Sequence, residues 1–118
     1  MNLLIRNQVG INNIARNSSY EQVLVITIEE LSELSQACTK EIRRMFTDNT
    51  LRINNDNIRT ALIEEIADCM IVISQLKYKL GINYIELNSI IAKKVERTLS
   101  KNWEINIIKV NILYERIN

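Results

Sequence analysis

Six acids stand in two short groups whose spacing invites metal chemistry. Glu29, Glu30 and Glu33 form an EExxE group, and Glu64, Glu65 and Asp68 close with ExxD. Residues three apart on a helix share a face, so Glu30 points with Glu33 and Glu65 with Asp68. Such pairs either sit in solvent as ordinary surface acids or converge on a cation. With Glu30 at zero on a wheel of ~100° per residue, Val23, Ile26, Leu34 and Ala37 fall within about 40° and Glu33 at about 60°. With Glu65 at zero, Ala61, Leu62, Cys69, Val72, Leu76 and Asp68 all fall within about 60°. Both acid pairs therefore interrupt apolar stripes, whereas Glu29 falls on the polar side with Ser32 and Gln36.

Burying a carboxylate without a partner is costly, and the stripes carry no Lys or Arg to neutralise all four acids. A bound divalent cation answers both needs. The chain has no His, and an all-oxygen donor set suits Mg²⁺, with Mn²⁺ as a substitute.

Long helices must hold these acids in place. Residues 2–16 predict a short helix, weakened or broken at Gly10. Ser18 or Ser19 offers an N-cap for a helix from about Tyr20 to Phe46. The Asn- and Asp-rich segment 47–57 reads as a loop. A second long helix is expected from about Ile58 to Leu80, ended by Gly81, and a third from an Asn83 cap to about Lys101. The segment from Trp103 onward alternates enough for a strand but has no partner strand, which favours a helix.

Composition agrees with an all-α fold. Two Gly and no Pro in 118 residues leave too few turn formers for an all-β chain, and the length suits one domain over 1–118. A net charge of +1 with no basic stripe argues against a nucleic-acid partner. Leu3, Leu4 and Ile5 are followed at once by Arg6, so no signal peptide is expected. The longest fully apolar run, Cys69 to Ile73, is far short of a membrane span. Cys38 and Cys69 lie far apart within apolar helical patterns and are expected to be two buried thiols. Together these features predict a cytoplasmic protein with no membrane partner. Absence of His excludes a His-based triad, and absence of a Gly-rich phosphate loop excludes a P-loop ATPase or kinase.

The stretches EELSELSQACTKEIRR and LIEEIADCMIVISQLKYKLGI resemble the MazG-like nucleotide pyrophosphohydrolases, within the all-α NTP pyrophosphatase superfamily. The resemblance covers roughly residues 20–101 and is closest in character to small phage- or prophage-type members. It implies a helical bundle whose four-helix core is completed by a homodimer or homotetramer. It implies that Glu30, Glu33, Glu65 and Asp68 bind the metal and that Glu29 positions water. Lys40 and Arg43 match a basic pair that often follows EExxE, and Lys93 and Arg97, with Lys94 beside them, match a trailing basic segment; these five are the implied phosphate contacts. Glu33 and Glu65 are separated by 31 residues, more than the usual spacer, with the surplus in 47–57. The segment after Lys101 has no counterpart in the family pattern.

The implied reaction is Mg²⁺-dependent hydrolysis of a nucleoside triphosphate to the monophosphate and pyrophosphate. Water would attack in line, with Glu29, Glu30 or Glu33 orienting or deprotonating it. Ten of the fourteen acids fall in residues 21–68, while residues 69–118 hold eight bases against four acids, a layout that suits a metal and phosphate site. Ile63, Met70 and Ile71 lie away from the acid stripe yet are apolar, which calls for cover from a second copy. Tyr20, Phe46, Tyr78, Tyr84 and Trp103 are the aromatics open to base stacking, although each fits packing better. The rival readings are a related enzyme with an unusual nucleotide substrate and a non-catalytic helical regulator that keeps the fold.

Overall fold

The computed structural model describes the backbone of residues 3–46, 55–101 and 103–117 and the side chains of 6–46, 57–101 and 109–116. Every element among them is helical: α1 (Leu3–Arg16), α2 (Tyr20–Phe46), α3 (Asn55–Leu80), α4 (Tyr84–Ser100) and α5 (Trp103–Ile117). The expected loop at 47–57 lies outside the described residues as far as residue 54, and its last three residues open α3 instead. The terminal segment takes the helical alternative.

Local chemistry accounts for the helix ends. The Gln22 N–H donates to Ser19 Oγ at 3.1 Å, and the Ser19 N–H donates back to Gln22 Oε1 at 2.8 Å, a reciprocal cap that starts α2. Gly81 ends α3 with φ +62°, a left-handed conformation in which a side chain would be strained. Asn83 Oδ1 accepts from the Glu86 N–H at 2.7 Å and starts α4.

Gly10 neither breaks nor ends α1, contrary to expectation. One glycine costs a helix only ~1 kcal/mol relative to alanine. Packing on α3 offsets that cost. Ala15 is fully buried, Gln8 Nε2 donates to Ser74 Oγ at 3.1 Å, and Arg16 Nε donates to Tyr78 Oη at 3.2 Å.

The chain divides into two compact units, Met1–Gly81 and Ile82–Asn118. In the first, α3 packs against both α1 and α2. Its core is Ala15, Val23, Ile58, Cys69 and Val72, with Thr27 and Gln75 as buried polar residues. Thr27 is satisfied by donating its hydroxyl to the Val23 carbonyl at 2.7 Å. The second unit is the pair α4 and α5, and its described side chains from Tyr84 on are exposed except for Leu87, which is half-buried. No described helix is long and apolar enough to cross a membrane.

Cys69 is buried as expected, but Cys38 is exposed. Cys38 sits about 80° from the centre of the α2 stripe, beyond the edge that the neighbouring helices cover.

Candidate metal centre

α2 and α3 run antiparallel, and this brings the two acid groups together. The Cys69 thiol donates to the Glu30 main-chain carbonyl at 3.3 Å. One turn further along α2 and back along α3, Glu33 meets Glu65. One carboxylate oxygen from each of Glu30, Glu33 and Glu65 lies within 4.8 Å of the others. Three carboxylates at that spacing form an oxygen-only donor group of the kind that suits Mg²⁺ or Mn²⁺.

The burial of these acids is graded. Glu30 and Glu65 are half-buried, whereas Glu33 and Asp68 are exposed. The wheel anticipates this grading, because Glu33 and Asp68 each stand about 60° from their pair's buried member. Burial pushes the carboxyl of Glu30 above its ordinary range, and the charges of Glu33, Asp68, Glu65 and Glu29 push it further. Glu65 is raised in the same way: by burial first, then by the charges of Glu33 and Asp68, then by a hydrogen bond with Glu33 and the charge of Glu64. Asp68 stands outside the triplet, yet its charge acts on both.

Among the described residues three buried side-chain oxygens lack a protein partner, one on Gln75 and two in the acid cluster. Glu30 Oε2 and Glu65 Oε2 are both buried and accept no hydrogen bond. Unsatisfied buried carboxylate oxygens of like charge are unfavourable. A divalent cation at this point would satisfy them, so the residues present fit the metal that the acid spacing predicts. Burial, helped by the same acids, also raises the pKa of Cys69, which keeps the thiol protonated and able to donate.

The remaining predicted site residues are placed as follows. Glu29 is exposed on α2 beside Glu30. Lys40 lines a cavity of about 290 Å³ that also reaches Glu33 and Glu65. Arg43 is exposed near the end of α2. Lys93, Lys94 and Arg97 surround a shallow depression beside Ile90 on α4, within the second unit. Of the aromatics, Tyr78 is engaged by Arg16, both by the hydrogen bond and with the guanidinium 6.0 Å from the ring centre. The Trp103 side chain lies outside the described residues.

Sequence reasoning missed Gln36 and Ile58, which share the cavity with Lys40. Gln36 was grouped with the polar face of α2, and only the pairing of α2 with α3 shows that this edge borders a cavity. No family model, curated protein or solved structure matches the chain, which leaves the acid cluster and its cavity as the features that bear on function.

Proposed function

We propose that this protein is a MazG-like, Mg²⁺-dependent nucleoside triphosphate pyrophosphohydrolase. The observation that carries the reading is the convergence of Glu30, Glu33 and Glu65 from two antiparallel helices with two buried carboxylate oxygens unpartnered. Glu30, Glu33 and Glu65 would hold the metal, with Asp68 completing the set from the next turn of α3. Bound there, Mg²⁺ would supply charge stabilisation for the phosphates and a lowered pKa for the attacking water. Glu29, exposed beside the cluster, is suited to orient that water or accept its proton together with Glu30 or Glu33. The water oxygen bonds to the α-phosphorus, and the bond from that phosphorus to the α–β bridging oxygen breaks. The products are the nucleoside monophosphate and pyrophosphate. Following the resemblance, Lys40 and Arg43 are the basic pair on α2 that would offset charge on the pyrophosphate.

The same reading makes the active form a homodimer or homotetramer. Ile28 on α2 is 68% exposed, and Ile63 and Met70 on α3 are 48% and 66% exposed. Each lies on the side of its own helix away from the acids, Ile28 behind α2 and Ile63 and Met70 behind α3. A second copy covering one of these faces would complete a four-helix core. The two free thiols suit a cytoplasmic location.

A non-catalytic helical regulator is the second reading, and the exposed apolar residues favour it as much as they favour an oligomer. It gives no reason for half-buried acids with unpartnered oxygens. Pyrophosphate release from nucleoside triphosphates, measured with Mg²⁺, Mn²⁺ or EDTA, separates the two readings. Metal-dependent release supports the enzyme. No release, with no effect of metal on the melting temperature, supports the regulator.

A further inference from the structure

A hydrogen bond ties the main chain of α2 to α3 beside the acids. The Cys69 thiol, on a residue only 4% exposed, donates across the seam to the Glu30 carbonyl at 3.3 Å. Glu30 lies inside α2, so its carbonyl already accepts from the N–H four residues on, and the thiol takes the second lone pair. Both ends of this bond belong to the acid groups. Cys69 follows Asp68 directly and stands one turn beyond Glu65. The contacts on either side hold the helices together but fix their register less sharply. Towards the start of α2 they are the buried side chains of Val23, Thr27 and Val72. Apolar packing is non-directional, and the Thr27 hydroxyl donates within its own helix, to Val23. Towards the end of α2, Ala37 and Ala61 line the cavity of about 290 Å³ and fill little of the seam.

We propose that Cys69 is a positioning residue for the metal: its thiol, bonded to the Glu30 carbonyl, sets the register at which the Glu30 and Glu65 carboxylates meet one cation. The proposal rests on the metal-binding reading of the acid cluster. Two demands make register matter there. One carboxylate oxygen from each of Glu30, Glu33 and Glu65 lies within 4.8 Å of the others, and like charges at that range push α2 and α3 apart or past one another. Mg²⁺ in turn takes its oxygens only in a near-ideal octahedron, at ~2.0–2.1 Å. A small slip of one helix along the other therefore spoils the ligand geometry before it harms the fold. A hydrogen bond resists such a slip, because it weakens steeply with distance and angle. A thiol also suits a dry seam, since it packs as a small apolar group and still donates.

The test separates the donor from the volume. Cys69→Val removes the donor and keeps apolar bulk, whereas Cys69→Ser keeps a donor in a smaller and more polar side chain. Mn²⁺ is titrated into wild type and both variants, followed by the loss of its free-ion EPR signal, and each protein is melted in EDTA. A positioning role predicts crossed orders. Cys69→Val should melt at or above Cys69→Ser, yet bind Mn²⁺ roughly five- to tenfold more weakly than wild type, while Cys69→Ser binds within about twofold of wild type. Cys69→Val that binds Mn²⁺ as wild type does, or more tightly than Cys69→Ser, overturns the proposal, because a residue that merely fills the core loses least with valine. A second measurement leaves Cys69 unchanged. In Cys38→Ser, altered at an exposed position, Cys69 is the remaining thiol, and its S–H stretch falls in an infrared window free of other protein bands. That band should have the frequency of a hydrogen-bonded thiol and should shift when Mg²⁺ is added. The frequency of an unbonded thiol, or a band that metal leaves unmoved, also overturns the proposal. Wild type that binds no Mn²⁺ fails the metal reading of the acids, and this proposal with it. Wild type that binds Mn²⁺, with Cys69→Val binding it equally, fails this proposal alone.

Discussion

The Cys69 thiol donates to the Glu30 main-chain carbonyl at 3.3 Å, and this contact marks the register of the two acid-bearing helices. Once Cys69 stands level with Glu30, helical periodicity carries Glu65 to Glu33 and Ala61 to Ala37. The acids converge, and the space beside them opens, from the same register.

The acids should be indispensable to turnover and dispensable to the fold. Glu30→Gln, Glu33→Gln, Glu65→Gln and Asp68→Asn are each expected to lower kcat by on the order of 10² or more, with helical circular dichroism unchanged. Glu30→Gln and Glu65→Gln should also raise the metal-free melting temperature, because each removes a charge that burial and its neighbours disfavour. A variant at any of the four that kept full Mg²⁺-dependent activity would remove that residue from the site.

Stability without metal should fall as pH rises. Glu30 and Glu65 have folded-state pKa values above the ordinary 4.5, so the folded protein holds their protons more tightly than the unfolded chain does. The stability they contribute is full below 4.5 and is lost as pH rises through their raised values. Glu41 works in the opposite sense. Its hydrogen bonds from Arg44, at 2.6 and 3.0 Å, lower its pKa, so its contribution is present above 4.5 and is lost as pH falls through the lowered value. Thermal melts in EDTA from pH 4.5 to neutrality should show wild type losing stability more steeply than Glu65→Gln, and Mg²⁺ should flatten the wild-type curve. Parallel curves for wild type and Glu65→Gln would contradict this assignment.

How much of this was legible in the sequence differs from element to element. The cap at Asn83, the stop at Gly81 and the bounds of α2 follow from local chemistry, which a sequence states directly, while the choice of Ser19 over Ser18 as the α2 cap comes from the structure. The wheel also located Glu30 and Glu65 on covered stripes. Gly10 was misjudged because its local penalty is visible in the sequence, while the α3 packing that outweighs it is not. Cys38 was misjudged because a stripe edge is buried or exposed according to its neighbour. Gln36 and Ile58 escaped notice because they face one cavity only through the pairing of α2 with α3, and that pairing joins residues 22 positions apart.

Self-association should depend on the apolar residues that α2 and α3 turn away from the acids. Met70→Lys or Ile28→Glu places a charge on an exposed apolar residue that the proposed partner copy would cover. Light scattering after size exclusion should report a dimer or tetramer for wild type and a shift towards monomer for each variant. A monomeric wild type with full activity would show that the four-helix core is not needed.

The most direct measurement is pyrophosphate release from the eight common nucleoside and deoxynucleoside triphosphates, each with Mg²⁺, Mn²⁺ or EDTA. The expected result is release matched one for one by monophosphate, present with either metal, absent in EDTA and strongest for a subset of the bases. Release from none of the eight by a folded helical protein, with no change in melting temperature on adding metal, would contradict the assignment of Glu30, Glu33, Glu65 and Asp68 to a catalytic metal site.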